Sequence, residues 1–127
     1  MRPAELRAIG LLVVLALPLL AAASTQTDPI KRLDEDMVGA AITNVCNPSF
    51  DWKKRMKSAD RLGREAYEVI LKRMRAANPN DPDNETKADR AFKLRSQEMY
   101  RKGEQLVSEK GCADLDVQDR LREFESR

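Results

Sequence analysis

The sequence predicts an all-α fold: an up-down-up three-helix bundle with a short C-terminal helix and one disulfide. Three observations predict it. Apolar residues recur at helical spacing, and no stretch alternates as a half-buried strand does. Two breakers, Asn47-Pro48 and the run from Asn78 to Asn84, cut the chain into helix-length pieces. The two cysteines, Cys46 and Cys112, fall at helix ends that this topology brings to one pole.

The first helix is expected from about Asp28 to Cys46. Asp28 can cap it, and Pro29 suits the first helical position. Its apolar stripe is Ile30, Leu33, Met37, Ala40/Ala41 and Val45. Asp34, Glu35 and Asp36 sit in the N-terminal half, where the helix dipole tolerates anions.

The second helix is expected from about Asp51 to Ala77. Its seam is Trp52, Met56, Ala59, Gly63, Ala66, Ile70 and Met74, close to the repeat of a helix packed along its length. Gly63 costs about 1 kcal/mol of helix propensity, so close approach of a neighbouring helix is expected there.

The third helix is expected from about Glu85 to Lys110, with Asn84 as its cap. Ala88, Phe92, Met99 and Leu106 form its stripe, and Gly111 supplies a left-handed stop. A fourth, short helix from about Leu115 to Phe124 offers Val117, Leu121 and Phe124 to the core, capped by Asp114 or Asp116. Short connections make consecutive helices antiparallel. Cys46 and Cys112 then meet. They close a loop of 66 positions, worth roughly 4 kcal/mol on the chain-entropy model.

Residues 1–23 read as a secretory signal peptide, leaving 24–127 as a single helical domain. Arg2 and Arg7 precede an apolar run that ends in Leu19-Leu20-Ala21-Ala22-Ala23. The small residues Ala21 and Ala23 place a cut before Ser24. The run from Ala8 to Ala23 is 16 residues, short of the ~20 a spanning helix needs. No transmembrane segment is expected once the signal is removed. The Ala-rich flank is of bacterial type, which implies the periplasm or secretion. Two cysteines in an oxidising compartment are expected to pair.

Composition narrows the chemistry. The 127 residues include no His and two Cys. That excludes a Ser-His-Asp triad, a Cys-His pair and a zinc site built from Cys and His within one chain. Net charge is +2, too balanced to imply nucleic acid. No cofactor or metal is expected. Asp81, Asp83 and Asn84 resemble part of a calcium loop, but the Gly and distal Glu are missing at the required spacing. They read as a turn.

Charge is unevenly placed. Lys54, Lys57, Arg61 and Arg64 recur on one face of the second helix, opposite its seam, and span about 80° of the helical wheel. These four are candidate contacts for an anionic partner. Arg95 falls inside the third helix's apolar stripe. A buried guanidinium needs a partner, and Asp28 and Asp34 are the acids in reach. A buried ion pair is the expectation. Glu109, Asp114, Asp116 and Asp119 cluster around the last turn. They could be glycosidase carboxylates, but they sit where helix capping predicts acids, and no apolar pocket to raise a pKa can be argued.

A Cys closing the first helix (Cys46), a Trp-x-x-x-Met opening the second (Trp52, Met56) and a Cys after the last long helix (Cys112) resemble small two-cysteine, all-α periplasmic proteins of proteobacteria. That resemblance implies an exported helical protein and names no activity. The single disulfide also resembles the small helical acid-stress chaperones of the periplasm. Neither resemblance carries a site across.

The residues thus predict an exported, non-enzymatic helical protein acting by binding, in an envelope-interaction or chaperone-like role. The partner would be a protein or envelope component, a second copy included. One alternative is a binder of an anionic surface or acidic partner through the basic stripe. The other is a small cell-wall hydrolase using the tail carboxylates.

Overall fold

Asp28 starts the first helix, α1 (Pro29–Cys46), by accepting hydrogen bonds from the N–H groups of Ile30 and Lys31. Each bond satisfies a donor that the first helical turn leaves unpaired. The computed structural model describes residues 28–127, so the expected signal peptide at 1–23 lies outside the described residues. Asp51 caps α2 (Trp52–Ala77) through the N–H of Lys53. Asp114 caps α4 (Leu115–Glu125) through Asp116 and Val117.

The third helix departs from expectation at its start. α3 (Asn84–Lys110) begins one residue early, with Asp83 as its cap. Asn84 is buried, and its side-chain amide donates to the Asn78 carbonyl at 2.8 Å. The amide therefore braces the α2–α3 turn instead of capping. Gly111, at φ +82°, ends α3. Among the described residues there are four helices and no strand.

Side-chain pairs fix the directions. Arg55 meets Asp36 and Arg32 meets Glu65, so α2 runs antiparallel to α1. Asp34 meets Arg95, Asn44 meets Tyr100, and Cys46 is bonded to Cys112 with Cα atoms 5.6 Å apart. α3 therefore runs parallel to α1. α4 folds back from the disulfide, and Arg127 just beyond it reaches Glu35.

α1 lies against each of the other three helices. That makes it more than the one-striped helix its sequence suggests. Ile30, Leu33, Val38, Ala41 and Ile42 are buried, whereas Val45 is 52% exposed. The extra covered face belongs to α4, whose Val117 and Leu121 join Val38, Ile42 and Val107 in one cluster. Phe124 is buried against Gly39, where an added Cβ would stand 2.8 Å from the Phe124 Cβ. Phe50 and Trp52 complete an aromatic group around Phe124, with ring centroids 5.2–5.8 Å apart.

α2 is rotated from the expected seam at its start. Met56 is 59% exposed and Arg55 is buried in its place. Neighbouring residues lie about 100° apart on a helix. Turning Arg55 toward Asp36 and Phe124 therefore points Met56 away. The expected close approach at Gly63 is also absent: a Cβ there would sit 3.5 Å from Phe92, an ordinary contact. The tight crossing is at Gly103, where a Cβ would lie 2.5 Å from the Val38 carbonyl oxygen. α1 and α3 meet there almost backbone to backbone.

Candidate functional site

The basic face of α2 is built by helical spacing alone. Lys54, Lys57, Arg61 and Arg64 are all exposed, and Lys53 lies beside them. None of the five is in an ion pair within 4 Å. Among the described residues ten Lys and Arg side chains lack such a partner, and seven of them are on α2. The other two are Lys72 and Arg73. Cations elsewhere mostly have a carboxylate beside them. Like charges at i,i+4 repel by a few tenths of a kcal/mol, so folding gains nothing from this grouping.

A cleft of about 300 Å³ opens beside the stripe, between α1, α2 and the segment after α4. Arg55 and Asp36 lie at its base, both buried. Arg55 donates to Asp36, and its guanidinium stacks 4.2 Å from the centroid of the Phe124 ring. Arg55 Nε and Nη1 have no hydrogen-bond partner. Arg127 Nη1 approaches Asp36 at 3.6 Å, so two guanidinium groups share one buried carboxylate. Ser58, Arg61 and Glu65 line the α2 wall. Glu65 meets Arg32 across the mouth at 3.5 Å, and both side chains are about half exposed.

Sequence reasoning passed over Arg55, Asp36, Ser58 and Arg127. A signal for Arg55 existed. It stands three positions after Trp52, beside the predicted seam, where a charged residue requires a partner.

Arg95 is placed differently from the expectation. It pairs with Asp34 through two hydrogen bonds, Nε to Oδ1 at 2.7 Å and Nη2 to Oδ2 at 2.6 Å. Yet its side chain is 46% exposed, so the pair belongs to the surface and not to the core. The Asp34 carboxylate raises the Arg95 pKa further above its ordinary value, against a smaller opposing effect of burial. Asp28 makes no hydrogen bond to Arg95; it caps α1.

The tail carboxylates are dispersed among structural partners. Asp114 caps α4, Asp116 meets Arg120, Asp119 meets Arg122, and Glu109 accepts from Gln105. At the α2–α3 turn, Asp81 accepts from Lys87 Nζ at 2.6 Å and from the Asp83 N–H at 2.9 Å. The Lys87 ammonium, chiefly, holds the Asp81 carboxyl below the usual carboxylate range. Among the described residues no group of three or more Cys, Asp or Glu is placed to hold a metal ion. No helix there is long and apolar enough to cross a membrane.

No family model matches this chain, and no curated protein or solved structure matches it.

Proposed function

We propose that this chain acts by binding, docking an anionic partner surface in the cell envelope through the basic face of α2. The helices form an up-down-up bundle of α1, α2 and α3 closed by α4, and the bundle presents that face as a rigid rod. One observation carries the reading: seven of the ten unpartnered cations among the described residues lie on α2. A disulfide and the lack of a membrane-spanning helix among the described residues are compatible with export.

The attraction is electrostatic. Each basic residue near an anionic bilayer is worth about 1 kcal/mol, so several together give useful affinity without a deep pocket. Salt shortens the Debye length from about 10 Å at 0.1 M to about 3 Å at 1 M and weakens such binding. The test is co-sedimentation of the disulfide-bonded protein with vesicles containing phosphatidylglycerol, against neutral phosphatidylcholine vesicles. Binding is expected to the anionic vesicles at low salt and to be lost at 1 M. Lys57→Glu/Arg64→Glu is expected to lower it at least about tenfold with unchanged helicity. Equal binding by wild type and the double variant at both salts overturns the reading.

A further inference from the structure

The cleft beside the stripe combines features that an electrostatic surface does not need. Its base carries two guanidinium groups, Arg55 and Arg127, with Asp36 between them and Glu35 also 3.5 Å from Arg127. Arg55 is 5% exposed, and two of its three guanidinium nitrogens lack a hydrogen-bond partner. Charge in a low-dielectric recess acts over distance more strongly than charge in water. Over the whole lining four guanidinium groups face three carboxylates, Glu35, Asp36 and Glu65, so the recess keeps one positive charge in excess and favours an anionic group.

The α2 wall narrows the chemistry. Ser58, Arg61 and Glu65 all line the cleft. They follow one another at spacings of three and four, which places them on one face about one helical turn apart. The wall thus offers a hydroxyl, then an unpaired cation, then a carboxylate. A simple dianion would be repelled by Glu65. A ligand carrying an anion and a cation a short distance apart fits the whole row. The Glu65–Arg32 pair is 3.5 Å apart and half exposed. Such pairs contribute at most about 1 kcal/mol, so a ligand ammonium can replace Arg32 at little cost.

We propose that this cleft binds a phospho-ammonium zwitterion of the phosphoethanolamine class. The phosphate is held by the Ser58 hydroxyl and the Arg61 guanidinium above the Arg55–Arg127 base. The primary ammonium donates hydrogen bonds to the Glu65 carboxylate. The two-carbon spacer of ethanolamine matches the one-turn separation between the anion-binding and cation-binding side chains. The cleft volume of about 300 Å³ is ample for such a head group. This goes beyond the docking face: it is a separate, selective site that shares Arg61 with the stripe.

The probe is O-phosphoethanolamine, titrated into the disulfide-bonded full chain and followed by NMR of backbone amides and arginine Nε–H groups. Shifts are expected at Ser58, Arg61, Glu65 and the Arg55 Nε–H. Phosphocholine has no N–H donor, and methyl phosphate has no cation, so each is expected to bind at least about tenfold more weakly. Glu65→Gln should reduce phosphoethanolamine binding to the level of methyl phosphate while leaving methyl phosphate binding unchanged. Arg61→Gln should weaken both. Both side chains are at the surface of the cleft, so neither change threatens the fold. Vesicles of phosphatidylethanolamine against phosphatidylcholine separate a lipid head group from a free metabolite as the source, and wild-type binding to either form of the head group supports the site. The proposal is overturned by shifts absent from the cleft at millimolar probe, by equal affinity for phosphocholine, or by an indifferent Glu65→Gln. The Lys57→Glu/Arg64→Glu variant should keep phosphoethanolamine binding, so loss of the docking face and loss of the cleft are told apart.

Discussion

Arg55 takes the buried position that spacing assigns to Arg95, which lies at the surface. Each lies in or beside an apolar stripe, although spacing singled out Arg95 alone. Only the rotation of each helix decides which guanidinium enters the core, and a rotation of some tens of degrees is set by tertiary packing. The consequences are measurable by urea denaturation. Asp36→Ala leaves Arg55 buried without its carboxylate and is expected to cost about 3–5 kcal/mol. Arg55→Met should cost clearly less, because Arg127 still approaches Asp36 and an apolar chain can fill the space over Phe124. A larger loss in Arg55→Met than in Asp36→Ala would show that the stacked guanidinium dominates. For the surface pair, Arg95→Met should cost at most about 1 kcal/mol. Arg95→Glu should cost little more, since water reaches that site. The partner, Asp34, was legible in the sequence because the parallel run of α1 and α3 could be counted back from the cysteines. The depth of the pair was not, because a stripe on a wheel does not say how closely the facing helix approaches.

The helices themselves were the most legible part of the molecule. Asp28, Asp51 and Asp114 precede apolar periods and cap them, and Gly111 stops α3 as its conformational freedom suggests. Which glycine serves a helix crossing was not legible. Gly63 lies in the predicted seam and yet meets only Phe92, at ordinary contact distance, while Gly103 carries the crossing with α1. A sequence records that a side chain is missing, and only the neighbour shows why. The two glycines therefore predict opposite outcomes for one substitution. Gly63→Ala should stabilise by up to about 1 kcal/mol, the propensity difference between the residues. A methyl at Gly103 would meet the Val38 carbonyl oxygen and the Ala41 Cβ, at 2.5 and 2.7 Å. Backbone cannot yield as a side chain does, so Gly103→Ala should cost about 1–3 kcal/mol. Thermal melts of both variants check this. Similar melting temperatures for the two would contradict the crossing.

At the scale of the whole molecule, the disulfide joins the ends of the two helices that pack in parallel. Its position followed from the topology, and its pairing from the expectation of an oxidising compartment. What the sequence did not show is that α4 turns back and covers a second face of α1. Three apolar residues at 4-3 spacing mark an amphipathic helix without naming its host. Reduction, or Cys46→Ser/Cys112→Ser, removes a cross-link over 66 positions and should lower stability by roughly 4 kcal/mol. Circular dichroism under denaturant, with and without reductant, measures the difference. Loss of less than about 1 kcal/mol would mean that α1 and α3 hold their register without the bond. The basic face of α2 takes no part in the bond and should be unchanged in a variant that stays folded.

The central place of α1 also sets an order of events. α1 is made early in synthesis, yet the residues that complete its burial, from Gly103 to Phe124, are made last. Its apolar faces stay unmatched until some sixty to eighty further residues have emerged. Contacts of such long sequence separation slow folding and lengthen the time a chain spends aggregation-prone. The nascent protein therefore cannot consolidate from its first helix outward. It stays unfolded, and so able to thread through a narrow pore, until nearly the whole domain has been made.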